Sequence, residues 1–438
     1  MNYAHALSLL LALPLTTLAA VAACDPDEPE HCDPDAPASI CTIVGNGLNG
    51  YDHDADTTAI PALKARMSLP QDTLTAPDGT IYILDWNNHR LRKFGDDGEL
   101  TWVAGRGELG GSLDDPQNGD FNHPTNIIFD PTGQKIVMAA WHNSKIREID
   151  LATGTIVDTC GDGKRAYFGD DGPAMTASLD LPASLAWNPA GELTIMDQAN
   201  QVLRKIDKVG DIHLVAGRCI IDAPAPSGPG PCAEGVLPVQ CPAGPNGPSG
   251  KFTCGDPAMY CAMPCTPGYS GDDIPATEMR MSQPFGQSAS PAGRIVFDPA
   301  GNLYFADTSN NLIRKIDPDG IVRRVAGKPP QDGVPQAGYA GDGGPAVDAL
   351  LNFPVDLALG DDGTLYFTDV RNHCVRAIDP GGVITTVVGR CGEKGFEGDG
   401  GPPEEALLSL PFGVEWLGDG TLLVADTGNS VIRKVHLP

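Results

Sequence analysis

The chain has 438 residues, enough for a sizeable core, and carries 57 acidic against 29 basic side chains, a net charge of −28. Such an acidic excess repels nucleic-acid phosphates and anionic lipid head groups, which excludes nucleic acid as a partner and favours cations or basic surfaces. Gly (53) and Pro (40) are abundant while aromatics make up only 6%, a composition for short strands and turns, not long helices.

Residues 1–23 contain no Asp, Glu, Lys or Arg; Leu7 to Leu13 is apolar, and Ala19 to Ala23 supplies small side chains. That is the pattern of a secretory signal. Val21-Ala22-Ala23-Cys24 resembles the end of a bacterial lipoprotein signal, in which Cys24 would become the lipidated first residue. Ordinary cleavage, with Cys24 in a disulfide, is the alternative. Residues 24–39 are acidic and Pro-rich and read as a tether. No other apolar run reaches the roughly 18 residues of a membrane span. Any membrane attachment would therefore run through the lipid anchor, on the periplasmic or outer side of the cell envelope; without it the protein would be secreted.

From residue 40 onward one phrase recurs. It reads DWNNHRLRK from Asp85, DQANQVLRKID from Asp197, DTSNNLIRKID from Asp307, DVRNHCVRAID from Asp369 and DTGNSVIRKV from Asp426; AWHNSKIREID from Ala140 has lost the Asp. Around each copy lie a Pro-initiated run, a Gly turn, an apolar strand ending at the Asp, a second Gly turn and a closing β-rich run such as VITTVVG. Each unit thus holds four short strands, at a period of roughly 55 to 62 residues, which means propeller blades. One interval is about twice as long and contains a Cys-, Pro- and Gly-rich insertion at about 219–269. The chain ends on a third strand, and ICTIV at 40–44 is a fourth strand without predecessors. The N-terminal strand should therefore complete the last blade, giving an all-β, six-bladed propeller over 40–438.

The twelve Cys of an exported chain favour disulfides, and six of them crowd 219–265. Zinc would tolerate the spacing in CAMPC at 261–265, but no His lies in that stretch, so a disulfide-stapled loop is expected. If Cys24 is lipidated, an odd number of Cys remains and one thiol should be free or irregularly paired.

The units resemble NHL repeats, whose frame Pro…Asp-Gly…Asp-x-x-Asn-x-x-Ile-Arg-Lys…Gly…Val-Ala-Gly they follow over about 40–218 and 270–438. The resemblance implies a six-bladed β-propeller. It says little about function, because such propellers include protein- and RNA-binding modules and a few lyase- or hydrolase-type enzymes.

The repeated Arg stands in a strand, on one face with two apolar neighbours, between packed blades. A buried guanidinium needs acceptors. The pairs Asp85–Arg92, Asp197–Arg204, Asp307–Arg314, Asp369–Arg376 and Asp426–Arg433 are therefore read as structural braces across each hairpin, with Arg147 in the same place in the copy that lacks the Asp. Function is sought where the repeat breaks, on the face (called the top) that carries the second-to-third loops and the connections between blades. Trp86 and Trp141 follow the Asp position in the first two copies, His89 and His142 lie in the same loops, and His123 occupies a site filled elsewhere by Leu69, Leu181, Gln283, Phe353 or Leu410. These five could gather as a ligand site, Trp faces suiting a sugar or apolar group and clustered His a metal. Asp52, Asp54 and Asp56 have the spacing of the first calcium ligands of an EF-hand loop without its Gly or Glu, which leaves a looser calcium site as the expectation. No GxSxG, HExxH or P-loop occurs. The reading is a binding or scaffold module for a protein or glycan on the top face; the alternative is a metal-dependent lyase or lactonase-type propeller enzyme.

Overall fold

The computed structural model describes residues 32–52, 59–113, 119–219, 238–240, 252–254, 265–286 and 288–438. The expected signal, Cys24, most of the tether, Asp54, Asp56 and most of the Cys-rich insertion lie outside these residues. The chain divides into Met1–Cys32 and Asp33–Pro438, and the second unit holds every blade.

Six antiparallel sheets form the blades of a six-bladed β-propeller, with no α-helix among the described residues. Blade 1 runs through Asp72–Thr75, Ile81–Asp85, Arg90–Phe94 and Glu99–Ala104. Blades 2 to 5 repeat this order from Asn126, Pro182, Ile295 and Pro354. Blade 6 takes three strands from the C-terminal end, Gly413–Gly418, Thr421–Asp426 and Val431–His436, and its fourth from Ile40–Val44, in the register Ile40 opposite Val435. The ring is thus closed by the expected N-terminal strand, which removes an exposed sheet edge. The insertion contains a small hairpin, Pro238–Gln240 with Phe252–Cys254, and Cys219–Cys265 staples its base. Cys374–Cys391 is a second disulfide, and Cys160 is a free, buried thiol pushed up to about 12 by burial. Disulfides suit an oxidising compartment.

Alternation along each strand builds the core. Ile81 and Ile83 pack with Leu423 and Ile432 of blade 6, whereas Leu84 and Leu91 pack with Ile127, Ile136 and Met138 of blade 2. Every blade buries both faces this way, at about 1.5–3 kcal/mol per large aliphatic side chain. A one-residue slip would exchange the two interfaces, so the register is tightly specified.

The repeated Arg lies within this core, fully buried in five copies and 2% exposed at Arg92. Arg314 shows the full set of contacts. Its Nη1 lies 3.2 Å from Asp307 and also donates to the Arg280 carbonyl, its Nε donates to Asp272 at 3.1 Å, and its Nη2 donates to the Gly271 carbonyl. The Tyr269 ring covers it at 5.2 Å. Asp307 in turn accepts from the Ser282 N–H and from Asn310, whose amide also donates to the Gly268 carbonyl. Arg204, Arg376 and Arg433 repeat this, at 3.4, 3.3 and 3.7 Å from Asp197, Asp369 and Asp426, with second carboxylates from Asp170, Asp342 and Asp399. Arg92 lies 3.3 Å from Asp85 under Tyr51. In blades 3 to 6 the connecting loop thus supplies an Asp to the core, three residues after a ring-bearing side chain that faces the guanidinium. Asp54 stands in that Tyr-x-x-Asp frame after Tyr51, while Asp52 accepts from the Arg66 N–H at 2.7 Å.

Blade 2, with Ala140 in place of the Asp, is built differently. Arg147 takes Asp158 of the outer strand at 2.9 Å and the carbonyls of Asp120 and Gly111. Asn143 moves into the vacated role: its carbonyl oxygen accepts the Asn122 N–H directly and its amide donates to the Gly110 carbonyl.

A second ring of polar contacts ties the innermost strands. Asp72, Asn126, Ser184 and Asp356 each accept a backbone N–H of the following blade, from Ile127, Leu185, Ile295 and Val414. Blade 4 places Arg294 at the corresponding position; it is buried, reaches Asp72 of blade 1 at 3.0 Å and donates to the Gln71 and Thr125 carbonyls. Burial pushes Asp356 up to about 7, with Arg294 opposing and Asp72 adding.

Candidate functional site

The turn joining the second and third strands of each blade is a single 3-10 turn followed by a residue in the left-handed region, such as His89 (φ 54), Gln201 (φ 58), Asn311 (φ 55) and His373 (φ 59). In four of the blades the side chain of that residue accepts a backbone N–H from the next blade, whereas the Ser144 hydroxyl of blade 2 has no hydrogen-bond partner among the described residues. His89 Nδ1 holds the His123 N–H at 3.3 Å, Gln201 the Gln283 N–H at 2.7 Å, Asn311 the Phe353 N–H at 2.8 Å and His373 the Leu410 N–H at 3.1 Å. His89 is therefore a link between blades, and His373, four residues after its own Asp, is the sequence signal for that role.

The five side chains singled out in the sequence do come together across blades 1 and 2. The His123 ring lies 4.5 Å from Trp86, 4.4 Å from His89 and 4.9 Å from His142. Trp86 and Trp141 are 6.4 Å apart. The Nδ1 atoms of His123 and His142 share a hydrogen bond of 3.1 Å, and Asn122 contacts His123 Nδ1 at 2.8 Å. Burial depresses His89 to about 4, with His123, His142 and Arg90 adding, and it also lowers His123, so both rings are neutral at neutral pH.

The members differ in access. Trp141 is 1% exposed, stacks under His142 at 4.2 Å and donates its Nε1 to Gln198 at 3.3 Å; it belongs to the core between blades 3 and 4. Trp86, His123 and His142 are half-buried and form the accessible part. Trp86 Nε1 is a buried donor with no hydrogen-bond partner among the described residues. The half-buried indole beside the neutral His123 ring offers a stacking face, and its N–H is an unmet donor. Among the described residues, no three His, Cys, Asp or Glu converge as metal ligands. Asp52 lies apart from the aromatic cluster, engaged with Arg66.

No family model matches the chain. Among curated proteins it is similar to teneurin-1 of Gallus gallus, 24% identical over an alignment of 430 residues that covers 91% of this chain and 14% of that protein. It is also similar to the chloroplastic protein Suppressor of quenching 1 of Arabidopsis thaliana, 25% identical over 77% of this chain and 27% of that protein. The chain thus spans less than a third of either relative. Among solved structures, an auxiliary nutrient binding protein from Bacteroides thetaiotaomicron superposes with a TM-score of 0.56, at 14% identity, over 91% of this chain and 76% of that one. At that identity the likeness is one of fold.

Proposed function

We propose that the chain is an exported propeller of the NHL type that binds a glycan or protein ligand on its top face, at Trp86, His123 and His142. The observation that carries this reading is the unpartnered, buried Nε1 of Trp86 beside the His123 ring. An unmet buried donor costs about 1–3 kcal/mol, a cost that a ligand acceptor would remove. The setting agrees: Trp86 stands where other copies carry Gln198, Thr308, Val370 or Thr427, while Trp141 at the same place in blade 2 is core. A neighbour of the same fold is described as nutrient binding, which suits a capture role outside the cytoplasm. Lipidation at Cys24 would hold the propeller at the envelope, and replacing Cys24 by Ala should then release it. A calcium site using Asp52, Asp54 and Asp56 would show as a rise in melting temperature on adding calcium. The lyase or lactonase alternative has no observation of its own in its favour.

The test is a glycan array of neutral and acidic oligosaccharides, probed with the wild type and with Trp86→Ala. The variant should lose at least about tenfold in affinity for whatever the wild type retains, with little change in melting temperature. Equal binding by both proteins would overturn the assignment of the site.

A further inference from the structure

On the same face, between blades 4 and 5, lies a cleft of about 330 Å³, near the lower end of the roughly 300–1,000 Å³ typical of small-molecule sites. Its polar lining is neutral apart from one residue. Ser290 comes from the strand-1 connection of blade 4, Ser309 and Asn311 from the turn of that blade, and Asn352, Phe353 and Arg371 from blade 5.

Arg371 has no counterpart in the other five copies, where its position holds Asn87, His142, Ala199, Ser309 and Gly428. Its guanidinium lies over the Phe353 ring at 4.3 Å, and its backbone N–H is tied to the Asn352 carbonyl. Phe353 itself is buried, sits in the left-handed region (φ 62) and is held by Asn311. The cation is therefore positioned by stacking on a fixed ring. The repeated Arg residues each meet a carboxylate, but Arg371 forms no ion pair among the described residues, although the chain carries 57 acidic side chains. The carbonyl oxygen of Asn311 is committed to Phe353, which leaves its NH2 as a donor; the side chain of Asn352 makes no hydrogen bond among the described residues. Hydroxyls and amides around a single planar cation match a ligand with one carboxylate and several hydroxyl groups. A doubly charged phosphate would keep one charge uncompensated on a protein of net charge −28.

We propose that the cleft between blades 4 and 5 is a binding site for a hydroxylated carboxylate of monosaccharide size, an acidic sugar of the uronic acid class, whose carboxylate pairs with the guanidinium of Arg371. This site is separate from the Trp86 patch and does not depend on it. Gln198 lies between the two: its amide donates to the Pro284 and Ser290 carbonyls while its oxygen receives the Trp141 indole.

The experiment is a titration of the oxidised, exported protein with D-glucuronate, D-glucose and inorganic sulfate, followed by saturation-transfer NMR and calorimetry. Glucuronate should bind at millimolar concentration or below and glucose should not. Arg371→Gln should weaken glucuronate binding by about 10- to 100-fold, the loss expected for a charge-assisted pair. Asn352→Asp, which sets a carboxylate in the same cleft, should do the same, and both variants should melt with the wild type because the two side chains lie at the surface. Trp86→Ala should leave glucuronate binding unchanged. No glucuronate binding, glucose binding as well as glucuronate, sulfate competing at equal strength, or full retention in Arg371→Gln would each overturn the proposal.

Discussion

Blades 2 and 4 meet the same requirement, a guanidinium inside an apolar interface, with different residues. In blade 4, Arg314 sits between Asp307 and Asp272, and Asn310 serves as an accessory of Asp307. In blade 2, Ala140 leaves the hairpin without its carboxylate; Asp158 supplies the charge from the outer strand, and Asn143 reaches the backbone that an Asp would have held. What persists through both solutions is a filled hydrogen-bonding fork around the Arg. The blade that departs from the pattern also presents Trp141 and His142 to its neighbour. Part of the candidate site thus falls on the irregular blade, although Trp86 and Arg371 show that a blade with the regular brace can also change its turn.

Removing the cation tests this contrast most severely. Arg314→Ala leaves the fully buried carboxylate of Asp307 without a cation and should cost about 3–5 kcal/mol in urea unfolding. Arg147→Ala should cost about 1–2 kcal/mol less, since Ala140 leaves no buried carboxylate in the hairpin and Asp158 keeps its contact with Lys145. Equal losses would mean that the two braces are energetically alike and the contrast is only geometric. A smaller effect separates the two histidine roles. His89 is held near 4 in the fold against about 6.5 when unfolded, so the unfolded chain binds more protons between those values and stability falls as pH drops from about 6.5 towards 4. His89→Asn keeps an acceptor for the His123 N–H, as Asn311 does for Phe353. Between pH 7 and 4 the variant should lose up to about 3 kcal/mol less than the wild type; parallel pH profiles would show that His89 does not carry the acid sensitivity. The finest test is Asn143→Ala against Asn310→Ala. The first orphans the Asn122 N–H as well as a carbonyl, whereas the second leaves Asp307 bonded to Ser282, so the first should cost about 1 kcal/mol more.

The strand frame and the Asp–Arg pairs were legible because they repeat with the period of a blade, and the closing strand because the last unit lacks a fourth strand. The second carboxylate was not read, although its signal was present: Asp170, Asp342 and Asp399 each precede their Arg by 34 residues. Acidic loops at a surface invite an explanation from turns or cations, and only three dimensions show the chain folding them back over the guanidinium. Arg294 lay beyond sequence reasoning, since its partner Asp72 is 222 residues away and a longer connection in blade 4 disguises its position. The aromatic cluster was found as a set, but the division of labour within it was not. That His89 links blades follows from its equivalence to His373, and that Trp141 is core follows from the Gln198 contact across the next interface.

The strand Ile40–Val44 pairs with Val431–His436, so the outermost strand of the last blade is made nearly four hundred residues before its partner, by the roughly 390-residue separation of the two segments. During synthesis it must wait, unpaired, until every other blade has emerged. Local hairpins can form as they appear, but the ring cannot become cooperative before the final strand arrives, so the slow step of folding is a loop closure spanning almost the whole propeller. Deleting that one strand would leave five blades with their sequences intact and a sixth with an open edge, a lesion visible first as a faster unfolding rate.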